Sequence, residues 1–275
     1  MYDLHVHSAP DVVRRRADDL DTAAVYAKAG YRGFVLKSHY EPTTGRAAAA
    51  AKASGLDVIG GVALNSAVGG INPAAVYTAL SAGGRIVWLP TQDSHTQAAA
   101  GLPRLCQHDA RLSSAQLALP PLDWSTEAPL RAILAMIAEA DAVLATGHVS
   151  AAEIAWLLPV ARRLGVRRVL LTHPTFTVPA IPVPQAADLA GQGVYVEITA
   201  YQLLHQPGCS ARMLAELVKA VPADRLVLSS DAGQPDSPPP PDALAELTDR
   251  LTGEGADRAV LTAALTDNPE RLLRH

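Results

Sequence analysis

Six short runs of this chain are apolar without alternation: Gly33-Phe34-Val35-Leu36, Val58-Ile59-Gly60-Gly61-Val62-Ala63-Leu64, Ile86-Val87-Trp88-Leu89, Ala142-Val143-Leu144-Ala145, Val169-Leu170-Leu171 and Leu226-Val227-Leu228. Strands buried on both faces read this way, as in a parallel sheet covered by helices. With two further segments that mix apolar and polar positions, the runs predict strands at 2–7, 33–39, 57–65, 85–91, 142–148, 168–174, 194–199 and 226–231. Between them, Ala- and Leu-rich stretches at 20–29, 43–54, 74–81, 128–140, 151–164, 184–190 and 210–220 predict helices, and two more close the chain after the Pro-rich segment 237–241. Gly30, Gly55, Gly165 and Gly191 stand where helices stop, and Pro73 where one begins.

Eight strands alternating with helices in 275 residues predict an α/β fold of the (β/α)8 TIM-barrel type, one domain over 1–275. A doubly wound open sheet is the competing architecture, but no Gly-rich dinucleotide fingerprint follows the first strand. Residues 92–127 break the rhythm with a long Ala-, Leu-, Ser- and Pro-rich connection. An excursion of that length reads as a lid or binding loop.

Composition narrows the field. Hydrophobic residues make up 49% of the chain, enough for a large core, and 23 basic residues stand against 27 acidic ones. That balance builds no basic field, so neither nucleic acid nor a membrane surface is an expected partner. The chain opens on a polar, histidine-bearing strand without the look of a secretory signal, and no apolar run is long enough for a bilayer. Two cysteines, Cys106 and Cys209, make no disulfide framework. A cytoplasmic protein acting on a small molecule is the expectation, with homo-oligomerisation left open.

The chemistry collects at strand ends. In Asp3-Leu4-His5-Val6-His7 the two histidines alternate with apolar residues, so on a strand they share a face, and paired imidazoles can share a metal ion. A surface strand that happens to carry two histidines is the plainer alternative. Lys37 and His39 end the second strand, Asn65 the third, His148 the fifth, His173 the sixth and Asp231 the eighth, while Glu197 lies late in the seventh. In a barrel these ends converge on one face, where active sites lie. Imidazoles with a carboxylate suit zinc or a similar divalent ion. His95, His108, His205 and His275 fall in loops or at the terminus and read as ordinary surface residues.

The order His5-Val6-His7, then Thr146-Gly147-His148, Leu171-Thr172-His173-Pro174 and Ser230-Asp231-Ala232, resembles the amidohydrolase superfamily, and the closing Asn268-Pro269-Glu270-Arg271 is similar to a terminal helix of many members. The phrases around Lys37, Asn65, Asn72 and Trp88 resemble an uncharacterised branch of it. The resemblance implies a metal-dependent hydrolase. His5, His7 and Asp231 would hold one ion, with His148 and His173 holding a second, or one of these completing a mononuclear site while the other assists catalysis. The ion would bring the pKa of a bound water to ~7. Asp231 would take the water's proton and pass it to the leaving group.

The fourth strand departs from the superfamily pattern, because it lacks the bridging carboxylated Lys or Glu of binuclear members. Lys37 is the candidate substitute: carboxylated it could bridge as a ligand, and as an ammonium it would bind an anion or stabilise developing charge, a catalytic role either way. His39, Asn65 and Trp88 are expected to contact substrate, Trp88 as pocket wall, and Glu197 to orient a ligand histidine. Of Arg14, Arg15 and Arg16 at most one is expected to clasp an anionic group, with Arg14 as the candidate. The expected reaction is hydrolysis of an amide, lactone or other ester. A metal-dependent decarboxylase of a small carboxylic acid and an HxH-type phosphoesterase are the alternatives, and a metal-holding barrel without catalysis is the non-enzymatic one.

Overall fold

The computed structural model describes residues 1–101, 112 and 116–274. Nine parallel strand segments run in chain order: β1 Tyr2–Val6, β2 Gly33–Leu36, β3 Asp57–Ile59, β4 Gly61–Ala63, β5 Ile86–Trp88, β6 Val143–Ala145, β7 Arg168–Leu171, β8 Tyr195–Thr199 and β9 Leu226–Ser229. Backbone pairing links β1-β2-β3 in one sheet and β4 through β9, in sequence order, in another. β3 and β4 are one predicted strand interrupted at Gly60. A Cβ on Gly60 would stand 2.6 Å from Thr44 Cα, so only glycine lets the helix Thr44–Ser54 press this close. At the other seam, Asp231 N donates to His5 O and His7 N to Ala232 O, both at 2.8 Å, which joins the end of β9 to β1. The strands thus form the eight-stranded ring of a (β/α)8 barrel.

The apolar residues divide by strand parity. Tyr2, Leu4, Val35, Ile86, Trp88, Val143, Ala145, Leu170 and Val227 fill the interior of the ring. Their neighbours Leu36, Val87, Leu144, Leu171, Val196 and Leu228 face the helices in a larger outer core. Alternation of side chains along each strand produces this split. β1 breaks its own alternation: Leu4 lies inside and Val6 outside, and the β1–β2 register shifts between Asp3 and Val6. Such a bulge re-aims the following side chains.

The helices follow the expected order, with additions. Asp19–Lys28 is capped by Asp18, whose carboxylate accepts from Leu20 N and Asp21 N. Ser150 and Glu153 form a reciprocal capping box at the start of Ala151–Arg163. Three helices close the chain rather than two: Pro240–Gly253, Arg258–Leu265 and Asp267–Leu273. Two short helices, His95–Ala99 and Ala200–His205, occupy stretches read as connections. Most of the central part of the predicted 92–127 excursion, including Cys106 and His108, lies outside the described residues, as does His275. No helix among the described residues is long and apolar enough to cross a membrane.

Candidate active site

A cavity of about 400 Å³ opens at the C-terminal ends of the strands. His5, His7, Lys37, His39, His148, His173 and Asp231 all line it. A wider groove of about 940 Å³ beside Cys209 and Glu246 gathers no comparable set, so convergent chemistry rather than size marks the site.

The β1 bulge brings His5 and His7 into the interior. Their Nε2 atoms each lie 3.2 Å from Asp231 Oδ1. Together these three residues offer ligand atoms all within 4.8 Å of one another. Burial first, and nearby cations second, hold His5 and His7 well below the ordinary histidine value, so both imidazoles are neutral. Burial pushes the Asp231 carboxyl up to about 7. A partly exposed carboxylate beside two buried neutral imidazoles is a donor set that a divalent cation would satisfy.

The two imidazoles differ in how they are held. His5 Nδ1 lies 3.3 Å from Glu197 Oε2, a buried carboxylate that accepts its proton and leaves the Nε2 lone pair toward the cavity. Lys37 Nζ, 2.9 Å away, donates to that lone pair. His7 Nδ1 faces Arg15 Nη2 at 3.3 Å. A guanidinium only donates, so this contact places the His7 proton on Nε2. Ligation through Nε2 needs the other tautomer and withdrawal of the guanidinium. Two cations are therefore parked on the two imidazoles best placed to ligate. The donor set fits a metal on condition that both cations move off the imidazole nitrogens they occupy here.

His148 and His173 face each other with ring centroids 5.0 Å apart. They stand outside the tight three-residue group. His148 Nδ1 lies 3.0 Å from Gln97 Oε1. His173 is held at a positive φ of 24° by the turn after β7, and its buried Nδ1 has no protein partner. Burial lowers its pKa to about 3. His39 stacks on His7 at 5.0 Å and bonds Thr91 Oγ1 through Nδ1 at 2.8 Å.

Three expected substrate contacts are corrected. Trp88 is not pocket wall: it is 1% exposed and lies in the barrel interior, where strand parity sends it beneath the site, its ring 5.5 Å from Lys37 Nζ. Asn65 is fully buried and occupied by scaffold. Its Nδ2 donates to His39 O and Thr91 Oγ1, and its Oδ1 accepts from Thr91 N and Asp93 N. Arg14 points to solvent; Arg15 is the arginine that enters, tied by Nε to Asp11 Oδ2 at 2.6 Å. The loop between β1 and its helix is irregular, so spacing alone could not choose among three consecutive arginines.

Gln92, Gln97, Phe176, Tyr201, His205 and Gln234 also line the cavity and were missed. For Tyr201 and His205 a signal existed. Thr199 and Gln202 make a capping box at the start of Ala200–His205, and residues four apart on a helix share a face.

The fold, a (β/α)8 barrel with its polar residues gathered at the C-terminal strand ends, is shared with several solved enzymes. The phosphotriesterase homology protein from Escherichia coli, solved with phosphate in its active site, aligns at TM-score 0.64 and 11% identity over 99% of this chain and 98% of that one. The 2,6-dihydroxybenzoate decarboxylase from Rhizobium aligns at 0.59 and 12% over 99% and 98%, and an amidohydrolase from Pseudomonas aeruginosa at 0.58 and 12% over 99% and 95%. Identities this low establish the fold. A search of curated proteins returns no match. A family model matches residues 1–197, and the chain belongs to that family, DUF6282, described as a family of unknown function.

Proposed function

We propose that the protein is a metal-dependent hydrolase of an amide, lactone or other ester bond in a small molecule. The observation that carries this is the buried convergence of His5 Nε2, His7 Nε2 and Asp231 Oδ1 at the mouth of the barrel. Zinc suits the imidazole and carboxylate donors, and His148 or His173 extends the set. When bound, the ion supplies Lewis acidity to a water and to the oxygen of the bond under attack.

The side chains supply the rest. Asp231 is the one acid lining the cavity among the described residues, and it takes the proton of the attacking water and delivers it to the leaving group. Lys37 acts as an ammonium. Its Nζ lies over the Trp88 ring and burial lowers its pKa only to about 8, so it is mostly charged at neutral pH and stabilises negative charge on the attacked oxygen. His173 lines the cavity with its ring, beside His148. Glu197 holds the His5 ring through Nδ1.

The test is metal analysis followed by a substrate panel. Protein stripped with chelator and reloaded with zinc should retain the ion stoichiometrically, and the His5→Ala and Asp231→Asn variants should not. A panel of lactones, amides, phosphoesters and ring carboxylates should show turnover by the loaded wild type and none by Asp231→Asn. Full activity in Asp231→Asn, or no retained metal in the wild type, would overturn the proposal.

A further inference from the structure

The cavity has two chemically distinct halves. On one side the rings of His173, Phe176, Tyr201 and His205 follow one another, with successive centroid separations of 5.2, 5.9 and 4.7 Å. All four line the cavity, and the last three are only half-buried. His205 Nε2 is fixed by Ser237 Oγ at 2.9 Å, which anchors the far end of the strip. On the other side stand Lys37 and Arg15. The Arg15 side chain is 2% exposed and is held through Nε by Asp11. Its Nη1 has no hydrogen-bond partner among the described residues, and the residue lines the cavity.

We infer that the substrate is a planar ring acid, an aromatic or heteroaromatic carboxylate, with its ring against the Phe176–Tyr201 strip and its carboxylate on Arg15 and Lys37. Aromatic side chains pay their best contact to a flat, polarisable ring, through offset or edge-to-face packing. A guanidinium tied at Nε to Asp11 still offers the N–H groups of its terminal nitrogens to a carboxylate, the more so once Nη2 leaves His7. The volume of about 400 Å³ accommodates one or two fused rings with small substituents. The three amide side chains, Gln92, Gln97 and Gln234, supply donors and acceptors around the ring edge. This inference rests on the reading of the cavity as the reaction site, but not on which bond is broken there.

Equilibrium binding decides it. Benzoate and 2-naphthoate are titrated by calorimetry into zinc-loaded and chelator-stripped protein, beside cyclohexanecarboxylate, which keeps the charge without the flat ring, and benzamide, which keeps the ring without the charge. Benzoate should bind about tenfold or more tighter than either control. Tyr201→Ala should erase the preference over cyclohexanecarboxylate while keeping the preference over benzamide. Arg15→Lys, which keeps the charge, should weaken all acids together and leave the ring preference intact. Equal affinity for benzoate and cyclohexanecarboxylate, or for benzoate and benzamide, would overturn the inference. Ring selectivity that persists in the stripped protein while zinc is not retained would sink the hydrolase reading alone; zinc retention without ring selectivity would sink this one alone.

Discussion

Asp3 shows how one buried side chain sets up the site. It is fully buried on β1, and its carboxylate accepts from Tyr26 OH at 2.5 Å, from Ser230 N at 3.0 Å and from its own strand at His5 N at 3.1 Å. It thereby ties β1 to the residue before Asp231. Removing the tyrosine hydroxyl leaves a buried acceptor short of a donor. Tyr26→Phe should lower stability by about 1–3 kcal/mol in urea unfolding. Glu197→Gln keeps shape but weakens the acceptor for His5 Nδ1. It should reduce zinc affinity roughly 10–100-fold in chelator competition, while the far-ultraviolet spectrum stays that of the wild type. At this scale the sequence was partly legible. His5, His7, His148, His173 and Asp231, which the structure brings to one cavity, stood out as candidates because polar residues at the ends of apolar runs are conspicuous. Arg15, Trp88 and Asn65 were misjudged because which neighbour turns inward depends on loop path and strand parity.

At the level of elements, the apolar runs and two mixed segments located the strands among the described residues, but not the devices that aim them. Nothing in Tyr2–Val6 announces the bulge that moves the histidines to the interior. The turns after the strands are equally exacting. Gly147, at φ 58°, would place a Cβ 2.3 Å from Leu89 O, and Gly233, at φ 132°, would place one 1.9 Å from His7 O. Gly233→Ala should therefore yield little folded protein, or protein with a thermal midpoint several degrees lower and no retained zinc. Gly30, at φ 73° with open space around it, is the control. Gly30→Ala should cost only about 1–2 kcal/mol of left-handed backbone strain and leave metal content unchanged. The short helix Ala200–His205 was the legible element left unread: its capping box was visible, and with it the placement of Tyr201.

For the whole molecule, the order of the fold class was written in the repetition of strand and helix, and the closure of the ring follows from it. What the repetition could not reveal is how the seam is secured. The candidate ligands His5, His7 and Asp231 meet where the first and last strands join. An ion bound there favours the folded state alone. At a free concentration of 100 times its dissociation constant, zinc should add about 2.7 kcal/mol to stability. Stripping the metal should lower the thermal midpoint of the wild type, and should leave the midpoint of Asp231→Asn where it was.

The seam also dictates when the centre can exist. During synthesis the two N-terminal imidazoles emerge from the ribosome long before Asp231 is translated, and for that interval they have no carboxylate to share. On the proposed reading, a centre that uses all three side chains can form only once Asp231 has been made and the end of β9 has paired with β1.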